Sequence, residues 1–130
     1  SWYRCNLLLL QENTKQVNLK NIQSENVVSN FIFENTKLKG EFELNTVLRI
    51  DGEFIGKIKS TSKVIIGTKG KANCDIEADI IEIGGEFTGN IIAKNFVKIY
   101  STGKITGNIT TPRILIEEGV KYNGEIKVKR

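Results

Sequence analysis

The sequence predicts an all-β chain wound into a β-solenoid of about six coils, and three observations predict it. Apolar residues alternate with polar ones in short bursts, the period of a strand rather than a helix. The bursts recur: their closing apolar residues are Phe42, Ile58, Ile76, Ile91, Ile109 and Ile126, spaced 16, 18, 15, 18 and 17 residues apart. Twelve glycines against one proline punctuate them, and each glycine inside a helix would cost about 1 kcal/mol.

The first copy runs through Ile32, then Leu38, Gly40 and Phe42. The second reads Leu48, Ile50, Phe54, Gly56, Ile58, and the third Val64, Ile66, Ala72, Cys74, Ile76. The fourth reads Ile81, Ile83, Phe87, Gly89, Ile91, and the fifth Val97, Ile99, Ile105, Gly107, Ile109. The sixth closes the series with Ile114, Ile116, Tyr122, Gly124 and Ile126. A repeat this short fits one coil of roughly three strands, with inward residues stacked into apolar columns. At ~4.8 Å per rung, six coils make a rod about 29 Å long. The two-residue differences between copies fall between strands, after Ile66 and Ile99, where a corner swells without changing which side chains face inward.

Gly40, Gly56, Gly89, Gly107 and Gly124 share one slot, which Cys74 fills in the third copy. The slot reads as a bend that needs a small or positive-φ residue. The next column, Lys57, Asp75, Asn90, Asn108 and Glu125, reads as a solvated ladder of opposite charges and amides.

At 130 residues the chain has the length of one domain. Its net charge of +4 comes without a basic stripe interleaved with aromatics, so nucleic acid is not an expected partner. The chain contains no histidine, which removes the commonest general base and metal ligand. No cofactor, metal or catalytic residue is expected. Asp75, Glu77 and Asp79 stand at alternate positions, where they could share a strand face as a weak cation site. Cys5 and Cys74 form no C-x-x-C pair, and a reducing interior fits them better than a disulfide. The sequence lacks methionine, which points to processing or trimming. No apolar run approaches the roughly 18 residues that span a bilayer. Other β-helices are enzymes, but acyltransferases keep a strict six-residue period and lyases use acidic metal clusters.

LRIDGEFIGKIK (Leu48–Lys59), KVIIGTKGKA (Lys63–Ala72), STGKITGNI (Ser101–Ile109) and IEEGVKYNGEI (Ile116–Ile126) carry a resemblance to the bactofilins, a bacterial family of filament-forming cytoskeletal proteins. It covers Phe31 to the C-terminus. The resemblance implies a right-handed parallel β-helix of about six triangular coils. It also implies end-to-end polymerisation, without nucleotide, into non-polar filaments that scaffold cell-shape or cell-wall machinery. In that family an aromatic within E-x-G-x-x-aromatic-x-G lies at the polymer contact; here Glu117 to Gly124 match and Tyr122 is that aromatic.

Solenoid ends expose unpaired backbone groups, and a monomeric solenoid needs polar caps. After Gly124 only EIKVKR remains, enough for a strand but not a lid. The expected polymer-contact residues are therefore Tyr122, Ile126 and Val128 at one end and Phe31 and Phe33 at the other. Tyr122 reads equally as the last filler of a core column. Lys127, Lys129 and Arg130 read as gatekeepers against lateral aggregation or as a patch for anionic lipid.

Residues 30–130 are expected to form the solenoid and residues 1–29 an N-terminal tail or cap. Trp2, Tyr3, Arg4, Leu7, Leu8, Leu9 and Leu10 suit a membrane interface, and the resemblance implies contact with the inner membrane. The same segment reads equally as an extra strand or cap over the first coil. Expected partners are other copies of the chain, inner-membrane lipid and cell-wall-modifying proteins, in a cytoplasmic, cytoskeletal setting. The competing reading is a rod that does not polymerise and tethers a cell-wall enzyme or membrane protein.

Overall fold

The computed structural model describes residues 4–9, as backbone, and 28–130. Among these there is no helix, and twelve strands form a single sheet. They are β1 (Arg4–Leu9), β2 (Val28–Ile32), β3 (Lys37–Leu44), β4 (Val47–Ile50), β5 (Glu53–Ser60) and β6 (Lys63–Ile66). β7 (Lys71–Ile83), β8 (Glu86–Ile99), β9 (Lys104–Thr111), β10 (Ile114–Ile116), β11 (Lys121–Asn123) and β12 (Ile126–Val128) follow. Every pairing is parallel except that of β1 with β3. A parallel sheet closed by short turns is a solenoid, and the register shows the six coils that the spacing predicts.

The columns form as period-two alternation requires. Ile32, Ile50, Ile66, Ile83, Ile99 and Ile116 stack on one wall. Leu38, Phe54, Ala72, Phe87, Ile105 and Tyr122 stack on the second. Phe42, Ile58, Ile76, Ile91, Ile109 and Ile126 stack on the third. Ala72 lies between Phe54 and Phe87, where two bulky rings leave room for a small side chain. Turns absorb the irregular spacing: Asp51–Gly52 and Gly84–Gly85 are short, whereas residues 67–70 and 100–103 each add two residues. These turns still bond coil to coil, as in Gly84 N–H to Ile66 O at 2.7 Å and Lys104 N–H to Gly85 O at 2.9 Å.

The shared glycine slot has positive φ at Gly56, Gly89, Gly107 and Gly124, between 139° and 148°. A Cβ at Gly107 would overlap the carbonyl oxygen of Gly89 one coil earlier. Backbone therefore stacks directly on backbone at this corner. Cys74 fits the slot because its φ is not positive. The coil register loses its regular pairing there, between Asn73–Thr88 and Ile76–Ile91.

Outward charges alternate up the second wall as Lys37, Glu53, Lys71, Glu86 and Lys104. Lys37–Glu53 is an ion pair at 3.6 Å and Lys71–Glu86 at 3.9 Å. Such exposed pairs contribute at most about 1 kcal/mol each, but they disfavour slipped registers.

Burial, with Asp75 adding to it, pushes the Cys74 thiol up to about 12 from 9.0. The folded state thus keeps a proton that the unfolded state releases above pH 9. Stability from this group is intact below pH 9 and falls by roughly 1.4 kcal/mol per pH unit from there towards 12. The expected result is that a thiol reagent spares Cys74 in the native protein at pH 8 and labels it only on unfolding. The stability of Cys74→Ala should also decline less between pH 9 and 12 in denaturant titrations.

Candidate functional site

No group of three or more histidine, cysteine, aspartate or glutamate side chains among the described residues could hold a metal. The acidic trio is committed elsewhere. The Asp75 carboxylate accepts from Asn90 N–H at 3.1 Å, Glu77 pairs with Lys59 at 3.7 Å, and Asp79 accepts from the Asn95 amide. A groove of about 660 Å³ lies on the third wall, lined by Glu41, Lys57, Asp75, Glu77, Asn90 and Ile92 among others. Its opposite charges already face one another in register, Glu41 with Lys57 and Lys57 with Asp75. The ends of the solenoid differ from this filled interior.

At the last coil the apolar columns run out into solvent. Ile116 is 41% exposed, Ile126 36% and Val128 51%, whereas Ile99, Ile109 and Thr111, their register partners one coil earlier, are at most 1% exposed. Among the described residues β10 pairs only with β8, and β11 and β12 only with β9. These positions have the inward parity of a core and, among the described residues, no coil above them. Leu115, half exposed on the outer face, widens the apolar area.

Tyr122 continues the column of Phe87 and Ile105 and packs, half-buried, against the core. Its hydroxyl donates to Gly107 O at 2.7 Å, with Glu125 O at 3.1 Å. Burial raises its pKa. The hydroxyl thus finds its partner inside the chain, at the carbonyl of a slot glycine.

The first coil is different. Ile32, Leu38, Phe42 and Leu44 are at most 3% exposed although they begin their columns. β1 runs antiparallel along β3, pairing Arg4 with Glu43 through to Leu9 with Leu38. Phe31 and Phe33 flank inward Ile32, so they face outward. Their rings stack at 5.5 Å and 8°, and Phe33 is 56% exposed. They lie on the outer wall of the first coil rather than at the end of a column. Asn30 is buried, and its Nδ2 donates to Thr46 Oγ1 at 2.9 Å.

Of the proposed membrane-contact residues, Arg4, Leu7, Leu8 and Leu9 belong to β1. Trp2, Tyr3 and Leu10 lie outside the described residues. No helix among the described residues is long and apolar enough to cross a membrane. Sequence reasoning named Ile126 and Val128 but passed over Ile116. Its place in the Ile32–Ile99 column is a signal that would have found it.

Comparison with known proteins identifies a family. The family Bactofilin, described as polymer-forming cytoskeletal, matches residues 30–127. Bactofilin BacO of Myxococcus xanthus (strain DK1622) is 34% identical over 89 residues, 68% of this chain and 71% of that protein. Bactofilin BacP of the same organism is 23% identical over 112 residues, which cover 86% of this chain but 45% of that longer protein. No solved structure matches significantly. A six-coil solenoid with the family's sequence across three quarters of its length leaves one assignment: the chain belongs to the bactofilins, a polymer-forming cytoskeletal family.

Proposed function

We propose that this chain assembles end to end, without nucleotide, into non-polar filaments that scaffold cell-shape or cell-wall machinery at the inner membrane. The observation that carries this reading is the exposure of Ile116, Ile126 and Val128 at positions whose register partners are core. Burying roughly a hundred Å² of such surface contributes about 2.5 kcal/mol, and the unpaired edges of β10–β12 offer a template for strands. An open end can dock on an identical end about a two-fold axis, and two such contacts per subunit propagate without closing. Filaments built by that rule have no polarity. Residues 30–130 form the assembling solenoid, and residues 1–29 act as a cap or as the segment that meets inner-membrane lipid.

The test is static light scattering and negative-stain microscopy of the pure full chain, followed by pelleting with anionic vesicles. Long polymers that form without nucleotide, and vesicle pelleting that disappears when Leu7–Leu10 are changed to serine, are the expected results. A discrete particle near 14.6 kDa at all concentrations rejects the filament. That outcome favours the second reading, a tether for a cell-wall enzyme or membrane protein. The exposed Phe31–Phe33 stack on the outer wall supports it.

A further inference from the structure

The strand that β1 covers has an unusual symmetry. From Lys37 to Glu43, β3 reads Lys, Leu, Lys, Gly, Glu, Phe, Glu. Turned about a two-fold axis through Gly40 and laid antiparallel on itself, it sets Lys37 opposite Glu43, Leu38 opposite Phe42 and Lys39 opposite Glu41. Each inward residue then meets an inward residue and each cation meets a carboxylate. Opposite charges directly across an antiparallel pair stabilise it, and like charges destabilise it. The same operation on the last coil, centred on Gly124, brings Lys121 opposite Lys127.

Gly40 is also the right place for such an axis. It occupies the corner slot where the second and third walls meet. A two-fold axis through that corner and the centre of the coil exchanges those two walls and turns the end of the solenoid onto an identical end. It also lays β2 along a second β2, whose outer edge is unpaired among the described residues.

β1 adopts the geometry this docking would have. It is the one antiparallel strand among the described residues, and its pairing with Leu38–Glu43 spans the same residue, with Leu7 paired to Gly40. Arg4 sits opposite Glu43, the position that Lys37 of a second copy would take. The closed end is also imperfectly satisfied. The buried side-chain polar atoms that lack a partner among the described residues, Asn30 Oδ1 and Thr36 Oγ1, both lie in the first coil.

We infer that β1 occupies, within its own chain, the docking site of a second copy, and that β3 pairs with β3 of that copy about Gly40 once β1 leaves. This rests on the end-to-end reading above and supplies the register and control of one of its two contacts. The cap competes with the partner, so apparent affinity at this end is reduced by the fraction of molecules whose β1 is released.

The test isolates this end. In the full chain carrying Ile126→Lys and Val128→Lys, which blocks the other end, Asn6→Pro with Leu7→Pro removes neighbouring amides of β1 and its fit to β3. Light scattering with size exclusion should show dimers of twice 14.6 kDa, with a dissociation constant at least tenfold tighter than the parent that retains β1. Glu41→Lys with Glu43→Lys should return this protein to monomer. Adding Lys37→Glu and Lys39→Glu, which restores the antisymmetry with signs exchanged, should recover the dimer.

A second measurement avoids proline. In a Cys5→Ser, Cys74→Ala background, Lys39→Cys with Glu41→Cys should oxidise to a covalent dimer, because residues 39 and 41 of one strand cannot reach each other. Equal association with and without β1, a dimer indifferent to charge reversal, or failure to cross-link overturns the inference. Filament assembly by the wild-type chain is read separately, so a failure there is not confused with a failure here.

Discussion

Ile126→Lys with Val128→Lys should leave a folded solenoid that no longer polymerises. Both side chains are more than one-third exposed at the free edge of the last coil, so stability should change by less than about 1 kcal/mol. Far-UV circular dichroism and the thermal midpoint of the dilute protein should match those of the wild type. Assembly responds differently, because an end that docks on an identical end brings two lysines from each copy into one desolvated contact. Unpaired charge taken out of water costs several kcal/mol. The threshold concentration for sedimentable polymer should therefore rise more than about 100-fold. Tyr122→Arg should also abolish filaments while the β spectrum persists. It should cost more stability, because it removes a half-buried ring and the hydroxyl that donates to Gly107 O. Filaments of ordinary length from the Ile126, Val128 variant would remove these columns from the interface.

Gly107→Ala should be among the most damaging single substitutions in the chain. The residue has φ 144°, and an ordinary side chain held there costs about 1–3 kcal/mol. The added methyl group also meets Gly89 O and its carbonyl carbon. These are backbone atoms of the neighbouring rung and cannot swing away as a side-chain tip would. Overpacking of this kind adds about 1–3 kcal/mol, against a total stability of about 5–15 kcal/mol. Coils contact only their neighbours, so the loss should localise. Hydrogen exchange should show β10–β12 deprotected before β3–β7, with the thermal midpoint lowered by about 10 °C. Cys74→Ala is the matched control: same slot, ordinary φ, and an expected loss near 1 kcal/mol. Equal effects from the two substitutions would show that the corner tolerates a Cβ and that the glycines have another purpose.

The separate fates of Gly107 and Cys74 show how far the sequence is readable. Alternation is a local property, because a strand turns successive side chains to opposite sides whatever lies beyond it. Inward and outward residues, the six coils and the corner slot were therefore all legible, as was the tolerance of corners for extra residues after Ile66 and Ile99. Resemblance to the bactofilins then supplied the expectation of end-to-end assembly, and the family comparison shows a polymer-forming cytoskeletal family over residues 30–127.

Contacts at the ends follow another rule, because the occupant of a free edge is chosen by competition among segments distant in sequence. The N-terminal segment read as an extra strand or cap as well as a membrane segment, but nothing between Arg4 and Leu9 selects an antiparallel register on β3, and the internal acceptor for the Tyr122 hydroxyl is fifteen residues away. Phe31 and Phe33 were expected at the end of the rod, whereas parity with Ile32 turns them to the outer wall of the first coil. By itself the sequence determined a stack of rungs with apolar columns, since side-chain parity needs no tertiary information. Only the tertiary structure decided that, among the described residues, those columns are covered at the first coil and exposed at the last, because hydrogen-bonding edges accept a single strand and the winner is set in three dimensions.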